Sequence, residues 1–140
     1  MKKILILLFS LLLSFNSYGD WTKIIEEDDK TYYIYFDNIK QKDGLVYWWL
    51  MVSESEDSSQ IYLLSDCDMS RMKPIQIMNY RKPLGKGEPS VGEIDDDSWI
   101  FLPPETTPTG LHAIACEYVN MSADKRERFL VKLKLHLNSY

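Results

Sequence analysis

Two cysteines, Cys67 and Cys116, are the most reactive side chains in this sequence, and they are its only thiols. Pairing in a disulfide is the simplest reading of an even, isolated set. Two buried free thiols, or half of a metal site, are the other readings. Zinc would need two further ligands, and only His112 and His136 are present, at spacings that match no zinc motif. A hydrolytic triad can be drawn from Ser65 or Ser98, His112 and an aspartate, yet no Gly-x-Ser-x-Gly elbow frames either serine. Both histidines read as surface or packing residues. Asp95-Asp96-Asp97 is carboxylate-rich enough for calcium, but it lacks the spaced ligands and glycine of an EF-hand loop and reads as a solvated acidic loop. Gly85-Lys86-Gly87 lacks the Lys-Ser/Thr pair that grips phosphate and magnesium. Its glycines answer a backbone need, either a positive φ or a close chain approach. No catalytic residue, metal or cofactor is expected from these patterns, and a carboxylate pair for glycoside chemistry is the one arrangement that only a structure can test.

Two further sets of side chains suit binding. Tyr32, Tyr33, Tyr35, Tyr47, Trp48 and Trp49 crowd two neighbouring apolar runs, where half should fill the core and half face outward. Arg71, Lys73, Arg81, Lys82 and Lys86 form the most basic stretch of an acidic chain and are the candidate docking residues. The precursor carries 16 Lys and Arg against 21 Asp and Glu, a balance that repels phosphate backbones and argues against nucleic acid as a partner.

The elements that position these residues follow from hydrophobic periodicity. Residues 1–19 have the parts of a secretory signal: Lys2 and Lys3, an apolar run from Ile4 to Leu13, and the small-residue site Ser17-Tyr18-Gly19. Cleavage is expected before Asp20. The apolar run is too short to span a bilayer, which needs about 20 residues, and no membrane span is expected in the mature chain. Export would place both cysteines where disulfides persist. A bridge spanning the 49 positions between them would stabilise a small domain by roughly 4 kcal/mol on the chain-entropy model.

Along the mature chain, Trp21–Ile25 and Thr31–Phe36 read as strands around the charged turn Glu26–Lys30. Asp43-Gly44 is a hairpin signal leading into Leu45–Val52, the most strand-like run, and Gln60–Cys67 is a further strand. Another runs from about Arg71 to Tyr80, with Pro74 marking an edge, a bulge or a break. Residues 81–98 read as a long surface loop. Leu111, Ile114, Ala115 and Tyr118 recur at helical spacing, so a helix is expected from about Thr109, with Cys116 on it. The final segment points two ways: Ala123 to Arg128 is a good helix-forming run, while Phe129, Val131, Leu133, Leu135 and Leu137 alternate with mostly polar residues, a pattern that favours a last strand within residues 122–140. The fold class is therefore α+β: an antiparallel sheet with one C-terminal helix packed on one face. If Cys67 and Cys116 pair, they pin that helix to the sheet. The last strand could pair with the sheet edge of its own chain or of a second copy, so a homodimer is an expected arrangement.

In order and spacing, Trp21, Tyr32-Tyr33-Ile34 with Asp37 and Ile39, Asp66-Cys67, Arg71, Tyr80, Leu84-Gly85-Lys86-Gly87, Trp99, Pro103-Pro104 and Cys116 resemble the bacterial surface-adhesin protein E family. The resemblance covers about residues 21–118, within a domain taken as 20–121. It implies a curved sheet with a C-terminal helix held to it by the two cysteines. It also implies a non-enzymatic, dimer-forming surface protein that binds host proteins such as vitronectin, laminin and plasminogen. Two departures are visible. No cysteine follows the apolar signal, so a lipid anchor is absent and periplasm or medium is as fitting a location as the cell surface. The chain also continues about twenty residues past the usual end. The second expectation is accordingly a periplasmic accessory protein that binds another envelope protein by adding the segment Phe129–Leu137 as a strand.

Overall fold

The computed structural model of the protein describes residues 21–137, so the expected signal, residues 1–19, lies outside the described residues. Eight strands form one antiparallel sheet: β1 (Trp21–Glu27), β2 (Lys30–Tyr35), β3 (Lys40–Lys42), β4 (Leu45–Ser53), β5 (Ser58–Asp66), β6 (Arg71–Tyr80), β7 (Pro89–Val91) and β8 (Ile100–Phe101). The spatial order is β1-β2-β4-β5-β6-β7, with β3 paired to β4 and β8 to β6. Two helices follow, α1 (Thr107–Val119) and α2 (Ala123–Leu137).

The turns follow local chemistry. Asp43 and Gly44 both take positive φ, as a two-residue hairpin turn between right-twisted strands requires. Pro74 sits beside an irregularity: Tyr62 pairs with Gln76 and Leu63 with Pro74, which leaves Ile75 as an extra residue on β6. Residues 81–98 are more structured than the sequence suggests. Pro83–Gly85 forms a 3₁₀ turn, and β7 pairs with Met78–Tyr80.

Alternation along the strands sorts the aromatics. Trp48 is fully buried with Ile34, Val46, Leu50 and Leu63 on the helix side, and Tyr32 packs against the same cluster. Tyr33, Tyr35, Tyr47 and Trp49 are half-buried on the other face, where Trp49 stacks on Tyr62 at 4.7 Å and Tyr35 meets Trp21 at 5.5 Å. The core is closed by Leu111, Ala115 and Tyr118 of α1. Cys67, just beyond β5, is bonded to Cys116 of α1, so the disulfide links helix to sheet.

The expected last strand is a correction: residues 123–137 are helical. Phe129, Leu130 and Leu133 pack against the core, a spacing of one, three and four that a helix brings to one face. The strand-like alternation instead leaves Val131 and Leu135 outside, 51% and 66% exposed. Ser122 starts the helix, its side-chain oxygen accepting the Lys125 amide at 3.4 Å and its carbonyl accepting that of Arg126 at 2.9 Å. Arg126 donates to the last carbonyls of α1, Tyr118 at 3.0 Å and Val119 at 2.9 Å, and lies over the Tyr118 ring. The sheet therefore carries two C-terminal helices where one was expected.

Candidate functional site

The five basic candidates do not form one patch. β6 is extended, so Arg71 and Lys73 at its start are about 25–35 Å from Arg81 and Lys82 beyond its end. At the far end the chain folds back over the sheet. The Ser58 hydroxyl donates to the Lys82 carbonyl at 2.7 Å and accepts the Gly85 amide at 2.8 Å, while Ser53 accepts the Leu84 amide at 3.0 Å. Gly85 has φ +66, and a Cβ there would stand 2.5 Å from the Gln60 amide nitrogen. Lys82 and Lys86 thus border a tightly folded turn whose glycine meets both backbone needs, the positive φ and the close approach.

The near end is different. Arg71 pairs with Phe101 and Met72 with Ile100 across the β6–β8 ladder. The Arg71 guanidinium reaches Asp66 at 2.9 Å and lies over two rings, Trp99 at 4.6 Å and Phe101 at 5.8 Å. Lys73 stands 5.3 Å from the Trp99 ring and reaches the Asp97 carboxylate at 2.9 Å. Burial alone would push the Asp66 carboxyl up, but the Arg71 guanidinium and the Met69 amide together hold it below the usual carboxylate range. On the face that Arg71 shares with Phe101, Phe101 is 61% exposed, and Met69, whose amide meets Asp66, is 53% exposed. A cation fixed between two rings, beside unburied aliphatic and aromatic carbon, suits a protein surface that carries acidic and apolar groups.

The acidic loop feeds the same corner. Asp97 pairs with Lys73, and the Ser98 hydroxyl, together with the Ser98 amide that Asp96 accepts at 2.8 Å, lowers the Asp96 pKa. The three aspartates do not converge as a cation site. Among the described residues the one group with metal-ligating atoms in common reach is Cys67, His112 and Cys116.

Ser65 and His112 do meet, at 3.0 Å between Oγ and Nδ1, but inside the core. The Ser65 oxygen also accepts the Trp48 indole N–H at 2.9 Å, and Ser65 is fully buried. A hydroxyl sealed under a helix cannot reach a substrate, so the pair is a satisfied polar node and no nucleophile. Burial lowers the His112 pKa, the Asp66 charge opposes that in part, and the imidazole is neutral.

Sequence reading named Arg71 and Lys73 as docking residues, met Asp66 and Trp99 only in the resemblance and Asp97 only in the acidic run, and joined none of them, nor Phe101, to the basic pair. The available signal was Trp99-Ile100-Phe101, apolar residues between an acidic run and a proline pair, too short to be placed by periodicity.

The comparisons with known proteins agree with this architecture. The model of the surface-adhesin protein E family matches residues 21–117. The crystal structure of protein E from non-typeable Haemophilus influenzae is similar, with a TM-score of 0.60 at 16% identity, over 87% of this chain and 92% of that one. None of the curated proteins matches.

Proposed function

Because the chain belongs to the surface-adhesin protein E family, we propose that it is an exported, non-enzymatic binding module of the bacterial envelope. In this reading it attaches to a host extracellular protein through the corner of Arg71, Lys73, Trp99 and Phe101. One observation carries the assignment: Arg71 is held by Asp66 and two rings while Phe101 stays mostly exposed beside it. Arginine and aromatic side chains dominate protein-binding hot spots, and here their geometry is set before any partner arrives. The periplasmic alternative was to use Phe129–Leu137 as an added strand. That segment is helical and packed on the core, so the alternative has lost its contact element.

The test is binding of the mature protein to immobilised vitronectin, laminin and plasminogen, with R71A/F101A beside it and K82A/K86A as the comparison. Loss of two hot-spot side chains should weaken binding by about 30-fold or more. The distal pair should have a smaller effect. Equal binding by R71A/F101A and wild type would overturn the site. Protection from protease on intact cells, with digestion once the outer membrane is opened, would overturn surface attachment.

A further inference from the structure

The buried imidazole beside the disulfide has a geometry that the closed bridge does not require. His112 and Cys116 are one helical turn apart on α1, and Cys67 meets them from the end of β5. The ligand atoms of the three side chains lie within 4.8 Å of one another. His112 Nε2 is 3.6 Å from Cys116 Sγ. Tetrahedral zinc, with Zn–N near 2.0 Å and Zn–S near 2.3 Å, sets its nitrogen and sulfur ligands about 3.5 Å apart. The other ring nitrogen is anchored as it is in metal sites: Nδ1 meets Ser65 Oγ at 3.0 Å, and that oxygen is held by the Trp48 indole at 2.9 Å. Ser65 Oγ has two acceptor lone pairs, enough for the N–H of both rings, so the tautomer that zinc requires, with the proton on Nδ1 and Nε2 free, can be held by Ser65.

We propose that the reduced protein binds zinc(II) through the thiolates of Cys67 and Cys116 and Nε2 of His112, with a fourth position open to water. The step balances. A dithiol reductant transfers two electrons and two protons to the disulfide and becomes a disulfide itself. Zinc then displaces the two thiol protons as it binds. The sulfurs must part to about 3.8 Å to share a tetrahedral ion. An open cavity of about 480 Å³ lined by Cys116, Glu117, Asn120, Met121 and Lys125 gives the ion its approach. Disulfide and zinc are mutually exclusive ties between the same helix and strand. The site shares no ligand with the binding corner at Arg71, although Asp66, which holds Arg71, precedes Cys67 in the chain.

The experiment reduces the mature protein with a phosphine and titrates it with cobalt(II), then displaces cobalt with zinc against a chelator. Reduced wild type should give a thiolate-to-cobalt charge-transfer band with tetrahedral d–d bands, and the oxidised protein neither. S65A should weaken zinc binding by about 10-fold, in the range that loss of an outer hydrogen-bond partner costs, and H112A by more. Equal zinc affinity for reduced wild type and H112A would overturn the site, as would an unchanged affinity in urea, where only the unfolded cysteines remain. Should reduction abolish the near-UV circular dichroism, its return on adding zinc supports the site, and its failure to return overturns it.

Discussion

His112 shows what a single buried residue contributes. Its ring is held between Ser65 and the Cys116 sulfur, and burial keeps it neutral although Asp66 lies close enough to oppose the effect. A base whose folded pKa is depressed is more easily protonated in the unfolded chain, whose value is about 6.5. Its stabilising contribution is therefore complete above that value and declines as pH falls below it. In the disulfide-closed protein, thermal melts between pH 7.5 and 5.5 should show a loss of stability for wild type that H112Q largely abolishes. Carboxylates such as Asp66, held low by Arg71, titrate only in more acidic solution and do not obscure this window. Equal slopes for the two proteins would remove His112 from the account. At this scale the sequence was partly legible. His112 was visible as a surface or packing residue of the expected helix, but its partner Ser65 is 47 positions away and on a strand, so only the fold could show that they meet in the core.

Among the elements, α2 gives the clearest lesson. Its apolar residues satisfy both periods: Phe129, Val131, Leu133, Leu135 and Leu137 for a strand, and Phe129, Leu130 and Leu133 for a helix. The tie is broken by features outside the pattern, namely the Ser122 cap, good helix formers from Ala123 to Arg128, and the Arg126 side chain closing the end of α1. Neither the Ser122 start nor the docking of Arg126 on the end of α1 entered the reading of the sequence. The rings of Phe36, Tyr118 and Phe129 meet at 4.7–6.1 Å, so Phe129 joins the 3₁₀ turn after β2, the first helix and the second helix. Phe129 is half-buried, and F129A should cost about 2–4 kcal/mol in urea denaturation, somewhat below or at the range for a fully buried phenylalanine. The helical signal of α2 should also fray in circular dichroism. A cost under about 0.5 kcal/mol would mean that α2 merely decorates the domain. The strands were more legible than α2, because tight turns such as Asp43-Gly44 announce themselves locally.

For the molecule as a whole, the disulfide is the longest-range covalent tie among the described residues, joining positions 49 apart across the sheet and α1. On the chain-entropy model the double variant C67S/C116S should lose roughly 4 kcal/mol, read as a fall in the urea midpoint with the folded circular dichroism spectrum retained at low denaturant. Loss of less than about 1 kcal/mol would assign the helix attachment to packing of Leu111, Ala115 and Tyr118 instead. The α+β class and this link were foreseeable from hydrophobic periodicity and two cysteines. The binding corner was not, because it joins residues from the start of β6, from β8 and from the loop before β8, which only the assembled sheet brings together.

The irregular outer margin of the sheet has one more effect. β8 covers Arg71 and Met72, β7 covers Met78 to Tyr80, and the Gly92 amide takes the Ile77 carbonyl at 2.9 Å. The stretch left between them carries Lys73, Pro74 and the extra residue Ile75, a charge, a missing amide hydrogen and a kink in succession. On this margin, a chain that crowds aromatics onto one face is thereby denied a straight run along which identical copies could stack into fibrils.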